Sequence, residues 1–217
     1  MARPESRRTV SAALKRAGFV VFPDLLSTEE FRRLGAAYDK AVGRGNAPDL
    51  RTARNGSQVR LANLVRYDSV FKELLALEPV LEACVLVIGE GFKLSGLRAR
   101  TVLPGGTAEA LHVDVAVDSP DWPLVGFIVM VDDFRPENGA TRFVPGSHRW
   151  AKDWRGITTN ERPSDAPRVT ACGAAGSVIV FNGSTWHGHG ANITSEGRRS
   201  IQGTYIAPNG TCAEAPV

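Results

Sequence analysis

The chain has 217 residues, 26 of them Lys or Arg against 23 Asp or Glu, for a formal net charge of +3. Hydrophobic residues at 43% and charged residues at 23% are values of a folded globular protein, which excludes disordered and collagen-like classes. The basic residues are scattered without an aromatic-interleaved stripe, which argues against a nucleic-acid partner, and the longest apolar runs fall well short of the roughly 20 residues of a membrane span.

The length suits one domain. Met1 to Arg8 carries positive charge with no apolar stretch behind it, so a secretory leader is not expected. Cys84, Cys172 and Cys212 are an odd set with no metal-type spacing and read as reduced thiols of a cytoplasmic protein.

In chain order, an N-terminal helix gives way to Gly18-Phe19-Val20-Val21-Phe22-Pro23, a short β-rich run. Ser27-Thr28-Glu29-Glu30 has the pattern of a capping box, with the Ser27 hydroxyl accepting from the Glu30 amide and the Glu30 carboxylate reaching back. Phe31, Leu34, Ala37, Tyr38 and Val42 then mark one face of a helix that stops near Gly43 and Gly45. Asp68 is a good N-cap for a second helical stretch through Phe71, Leu74 and Leu75, and Pro79 suits the first turn of a third that ends near Gly89. Asn46 to Arg60 is polar and aperiodic and is expected to be a loop.

After Lys93 the texture changes to short β-prone runs at Leu97 to Leu103, Leu111 to Val117, Leu124 to Val131, Thr141 to Val144, Ser177 to Phe181 and Ser200 to Ile206. Turn clusters such as Pro104-Gly105-Gly106 and Pro145-Gly146-Ser147 separate them. Gly156 to Arg168 reads as a second loop, a candidate flap. The expected architecture is mainly β with flanking α-helices: a helical part over about residues 1–92 and a sandwich or barrel over about 93–210.

The four histidines are His112, His148, His187 and His189. On a strand, His112 and Asp114 point to the same face, and a third ligand from a later strand would complete a two-histidine, one-carboxylate set that leaves octahedral positions open. Alone, His-x-Asp is a weak signal, more often structural than metal-binding.

The surroundings strengthen it. Asp132 to His148, with Arg135-Pro136-Glu137-Asn138-Gly139 and Val144-Pro145-Gly146-Ser147 within it, resembles the signature segment of the phytanoyl-CoA dioxygenase family. Leu111-His112-Val113-Asp114 resembles that family's iron-binding pair, and Gly176 to Phe181 followed by Trp186-His187-Gly188-His189-Gly190-Ala191-Asn192 resembles its distal-histidine strand and turn. The opening Gly18 to Pro23 and Leu26-Ser27 is similar too, so the likeness covers nearly the whole chain.

The resemblance implies a double-stranded β-helix (jelly-roll, cupin-like) core with Fe(II) held by His112, Asp114 and His187, and with 2-oxoglutarate and O2 as cosubstrates. His189 is the alternative distal ligand, but His187 precedes the Gly-x-Gly and sets Asn192 in register. Arg198, eleven positions past His187 (198 − 187), falls where the family places the arginine that holds 2-oxoglutarate. A planar guanidinium suits a carboxylate through two charge-assisted hydrogen bonds. Arg199 is the fallback and would face the other way. Many members carry a small hydroxyl residue where this chain has His189; the imidazole could donate that hydrogen bond to the cosubstrate, contact substrate, or be structural.

Arg60, Arg66, Arg98 and Arg100 lie in segments that could line the barrel mouth, with Arg98 and Arg100 on one strand face as candidates for an anionic substrate or a second part of the cosubstrate site. Pro145-Gly146-Ser147-His148 and Asn138-Gly139 read as turns, and His148 stays outside the metal set.

The activity implied is hydroxylation of an unactivated carbon of a free small molecule, such as an intermediate of specialised metabolism, with release of succinate and CO2. Asp114 argues against halogenation, since related halogenases carry a small residue there; desaturation, cyclisation, epoxidation and epimerisation stay open beside hydroxylation. Two rival readings are a catalytically silent cupin-like sensor and a Zn(II) hydrolase with a metal-bound water. The hydrolase needs a general base, for which Asp118 is the nearest carboxylate evident in the sequence.

Overall fold

The computed structural model describes residues 4–45, 48–53, 55–114, 124–150 and 166–209. Helix α1 (Pro4–Ala17) buries Val10 and Leu14 and ends at Gly18, whose φ of 83° and amide bond to the Leu14 carbonyl turn the chain directly into strand β1 (Phe19–Phe22). The Ser27 capping box forms as expected: the Glu30 amide donates to Ser27 Oγ at 3.3 Å and the Ser27 amide to Glu30 Oε2 at 2.7 Å. Helix α2 (Thr28–Arg44) follows and buries Leu34, Ala37, Tyr38 and Ala41. Asp68 caps a 3-10 helix, Ser69–Ala76, and α3 (Glu78–Val87) carries Pro79 in its first turn.

The remaining strands are β2 (Leu50–Thr52), β3 (Gln58–Leu61), β4 (Lys93–Val102), β5 (Leu124–Met130), β6 (Thr141–Phe143), β7 (Val169–Thr170), β8 (Val178–Asn182), β9 (His187–His189) and β10 (Arg198–Ile206). They form a seven-stranded antiparallel sheet in the order β1-β8-β5-β10-β4-β3-β2 and a three-stranded sheet in the order β7-β6-β9. The pair makes a jelly-roll, as the resemblance implied.

The two faces of the large sheet have different tasks. Leu97, Ala99, Val129, Val180 and Ile201 point outward into one core with Leu34, Tyr38 and Val80 of the helices. Ile128, Met130, Ile179 and Phe181 point inward onto Phe134 and Phe143. Because both faces of β5 are covered, all seven of its residues are buried and its sequence is a continuous apolar run without alternation. Each fully buried large apolar side chain contributes about 1.5–3 kcal/mol, and the Tyr38 hydroxyl adds a 2.8 Å hydrogen bond to Thr101 that pins α2 to β4.

Two expectations are corrected. Asn46 to Arg60 is not one loop: β2 and the start of β3 lie in it, and β3 extends the sheet beyond β4. The strands are short, and β3 turns Gln58 and Arg60 toward the polar interior, so no apolar stripe marks them. Leu111 to Val117 is not a strand over its described part, since residues 111–114 make a single bridge, His112 to His187, before the Asp114 amide turns to the Gly183 carbonyl. Residues 115–117, Asp118, most of the expected loop at Gly156 to Arg168, and Cys212 lie outside the described residues. Strands β1, β2 and β3 also place part of the first 92 residues inside the large sheet. Among the described residues no helix is long and apolar enough to cross a membrane.

Candidate active site

Two histidines face one carboxylate on the open side of the jelly-roll. His112 and His187 exchange both backbone hydrogen bonds across their bridge, each at 2.9 Å, and their rings lie 4.5 Å apart. The Asp114 carboxylate stands between the rings, with Oδ1 3.8 Å from His112 Nε2 and Oδ2 3.7 Å from His187 Nε2. Those separations exceed hydrogen-bond length and leave room for an ion. One ligand atom from each of the three residues lies within 4.8 Å of the others.

The protonation pattern fits a metal as well. His112 Nδ1 is 3.1 Å from the Ala110 carbonyl and His187 Nδ1 is 2.9 Å from the Thr185 carbonyl. A carbonyl only accepts, so each Nδ1 carries the hydrogen and each Nε2 turns a lone pair toward Asp114. Burial lowers the His187 pKa against the pull of Asp114, which favours the neutral, ligating ring. The His187 ring is wedged beside Phe181 at 4.6 Å and Phe143 at 5.6 Å. Its side chain is 8% exposed, whereas His112 and Asp114 are 37% and 31% exposed, so the cluster is open on their side.

Arg198 projects inward from β10 and is 2% exposed. Its guanidinium lies 4.0 Å over the Phe134 ring, and Nη2 donates to the Gly139 carbonyl at 3.0 Å. Nε and Nη1 are buried without a partner. Burial, then the nearby Arg100, lower its pKa to about 9, so it stays cationic at neutral pH. A buried cation with two orphaned donors calls for an anion. Arg199 faces the other way and is held by Asp132 and Asp39.

Arg100, 6% exposed, donates through Nε to Gln58 and places Nη2 2.7 Å from Glu109 Oε1. His189 is 2% exposed; its Nδ1 donates to the Gly190 carbonyl at 2.7 Å and its Nε2 has no partner. Burial, then Arg100, push the His189 pKa down to about 4. In this tautomer the neutral ring turns its Nε2 acceptor into the interior.

Sequence reasoning missed Glu109 and Gln58. Glu109 sits three residues before His112, is 18% exposed, and places Oε1 3.2 Å from Arg60 as well as near Arg100. Burial pushes its pKa up, but Arg100, His112 and His189 outweigh that and hold it below the ordinary carboxylate range. An ionised carboxylate gripped by two arginines is a poor general base, which weakens the hydrolase reading. Its only sequence signal is proximity to His112. Arg98 shares the inward face of β4 with Arg100, whereas Arg66 acts on Asp49, away from this cluster.

The turns have structural tasks. Ser147 Oγ donates to the Val144 carbonyl at 2.7 Å and accepts from the Trp186 amide at 2.9 Å, which steadies the residue before His187. Asn138 closes its own turn through Arg135 and Asp133, and Asn192 Nδ2 bonds the Val102 and Glu196 carbonyls. His148 is not among the three clustered ligands. A cleft of about 570 Å³ bordered by Phe31, Asp132, Arg135, Glu196 and Arg199 includes none of them either.

The phytanoyl-CoA dioxygenase (PhyH) family model matches residues 14–200. The curated dioxygenase af480 of Aspergillus fumigatus is 30% identical over 209 residues, covering 90% of this chain and 65% of its own length. Dioxygenase aneA of Aspergillus aculeatus is 28% identical, covering 95% of this chain and 76% of its own. This chain thus spans slightly under two thirds of the first relative and about three quarters of the second. Among solved structures, the epimerase SnoN from nogalamycin biosynthesis, in complex with Fe3+, alpha ketoglutarate and nogalamycin RO, has a TM-score of 0.80 at 22% identity, covering 94% of this chain and 85% of that one. HygX from Streptomyces hygroscopicus, with nickel, 2-oxoglutarate and hygromycin B bound, has a TM-score of 0.72 at 17% identity, covering 98% and 90%.

Proposed function

This chain belongs to the phytanoyl-CoA dioxygenase family, and from that membership we propose that it is a non-haem Fe(II)- and 2-oxoglutarate-dependent dioxygenase acting on a small molecule. The observation that carries the reading is Arg198: a fully buried guanidinium with two unpaired donors, in the same interior as a two-histidine, one-carboxylate cluster. A silent binding protein has no use for that buried charge. The curated relatives named as dioxygenases and the neighbours bound to 2-oxoglutarate point the same way.

In this reading His112 Nε2, Asp114 and His187 Nε2 hold the Fe(II), and the set of two neutral nitrogens and one carboxylate suits that borderline ion. When bound, the iron with 2-oxoglutarate and O2 supplies oxidative decarboxylation and the oxidation of an unactivated carbon, with release of succinate and CO2. Arg198, with Nε and Nη1 unpaired, would hold the distal carboxylate of the cosubstrate, and Arg100 and His189 are the further candidates for contact with it. Thr185 and Ala110, through their carbonyls, keep both histidines in the ligating tautomer. Phe143 and Phe181 keep water off the buried side of His187.

Hydroxylation is the favoured outcome, because Asp114 occupies the place a halide would need. The epimerase among the neighbours makes epimerisation the second outcome to assay. Neighbours carrying nogalamycin RO and hygromycin B support a substrate from specialised metabolism. The free thiols at Cys84 and Cys172 accord with a reducing, cytoplasmic setting.

An anaerobic titration of the metal-free protein with Fe(II) and then 2-oxoglutarate tests the reading. A saturable, weak visible charge-transfer band is expected. Iron binding without that band would bring the silent-binder reading forward.

A further inference from the structure

The interior wall opposite the small sheet carries more positive charge than the proposed cofactor chemistry uses. Strand register fixes which side chains share it: Arg60 pairs with Arg100, Arg100 with Ser200, Arg98 with Gln202, and Val102 with Arg198. Cross-strand partners point to the same side, so Arg60, Arg98 and Arg100 all face the interior with Arg198.

Two of the three extra guanidiniums are restrained. Gln58 Oε1 accepts from both Arg60 Nε and Arg100 Nε, and Glu109 Oε1 lies 3.2 Å from Arg60 and 2.7 Å from Arg100. Arg98 has neither a hydrogen bond nor an ion pair among the described residues. It acts on Arg60 only by repulsion; burial, then Arg100, lower the Arg60 pKa to about 10 with Glu109 opposing, and Arg98 lowers it further.

Among the described residues, four arginines thus face two carboxylates, Glu109 and Asp114, leaving two positive charges uncompensated. A divalent metal and a dianionic cosubstrate cancel one another and leave that excess in place. The cosubstrate does not reach it from its anchor: Arg98 lies opposite Gln202, four residues along β10 from Arg198, roughly 13 Å at strand rise. Uncompensated charge in a partly buried wall is costly unless a ligand completes it.

We infer that the substrate carries an oxyanion group, a carboxylate, sulfate or phosphate, and that Arg98, assisted by Arg60, anchors it on the inner face of β3 and β4. This rests on the dioxygenase reading and adds the substrate class to it. Arg98 is partly exposed, His112 and Asp114 are open on their side, and Arg60 lies within electrostatic range of both Arg98 and Asp114, which links the arginine wall to the open side of the metal cluster. Gln202, beside Arg98, offers a neutral donor and acceptor to the same group. The anchor would fix which carbon faces the metal, while Arg198 keeps the cosubstrate.

The test uses naphthalene-2-sulfonate, a fluorescent anion that does not chelate iron, and the neutral naphthalene-2-sulfonamide of nearly the same shape. Each is equilibrated by dialysis with the Fe(II)- and 2-oxoglutarate-loaded protein under anaerobic conditions in 0.15 M NaCl, where diffuse attraction is screened. The sulfonate is expected to bind at least tenfold more tightly than the sulfonamide. Arg98→Gln is expected to weaken the sulfonate at least tenfold, and Arg98→Lys to recover most of the loss. No saturable sulfonate binding, equal binding of the sulfonamide, or undiminished binding by Arg98→Gln would each overturn the anion site. Absence of the charge-transfer band during loading would instead count against the dioxygenase reading, and dialysis on the metal-free protein would still decide the anion site.

Discussion

Arg198 and Arg199 leave β10 on opposite faces, Arg198 inward over the Phe134 ring at 4.0 Å and Arg199 outward onto Asp132 at 2.6 Å and Asp39 at 2.8 Å. Two adjacent residues of one type are therefore separated in role by the pleat alone. The inner one keeps two donors free, and the outer one has its charge satisfied.

Arg198→Ala is expected to weaken 2-oxoglutarate about 100-fold, the loss of two charge-assisted hydrogen bonds worth ~2.7 kcal/mol together. Iron affinity should stay within about twofold. Arg199→Ala should do the reverse, leaving the cosubstrate unaffected and lowering the melting temperature by a few degrees, since its ion pairs are partly solvated. Titration of the charge-transfer band and a thermal melt on each variant separate the two; an unchanged cosubstrate requirement in Arg198→Ala would remove the assignment.

Asp114→Ala and His187→Ala are each expected to abolish the band. Circular dichroism should show both folded, because the backbone pairing of His112 with His187 does not depend on their side chains. Iron retained with wild-type affinity by either variant would contradict the ligand set.

Gly126→Ala reaches the metal site indirectly. A Cβ there would run into the Phe181 ring, which is 4% exposed and itself packs against His187. Displacing that ring is expected to cost about 1–3 kcal/mol of stability and to weaken iron binding. Normal stability with normal iron affinity would show that the ring shifts freely.

Glu109→Gln tests the charge network by its pH signature. The folded-state pKa of Glu109 is depressed, so its contribution to stability is present above the ordinary glutamate range and is lost as pH falls below about 5, where the unfolded chain takes up the proton first. Wild type should exceed the variant by on the order of 2–3 kcal/mol at pH 7, and the gap should narrow progressively as pH falls below about 5, closing only far below the ordinary glutamate range. Parallel stability curves in urea across that range would show that Glu109 does not carry the linkage.

Much of this was legible in the sequence where local chemistry decides. The Ser27 and Asp68 caps, the apolar run of β5, and the ordered histidine, aspartate and arginine signals depend on near neighbours. Strand β3 was not legible, because its inward residues, Gln58 and Arg60, serve a polar cavity and leave no hydrophobic alternation. Glu109 was hidden for a related reason: its partners Arg60 and Arg100 are 49 and nine positions away (109 − 60 and 109 − 100), and only the register of β3 on β4 brings them together. The tautomer of His189 depends on a single carbonyl, that of Gly190, which no residue type announces.

The reciprocal backbone bond between His112 and His187 also bears on how the protein takes up and gives up its metal. The two nitrogens owe their spacing to main-chain pairing, so an ion leaving the site does not undo the architecture that received it. Loading then becomes a capture event on a standing frame, with little chain ordering left to complete. Removal by a chelator should be reversible in minutes, without the slow phase that accompanies refolding.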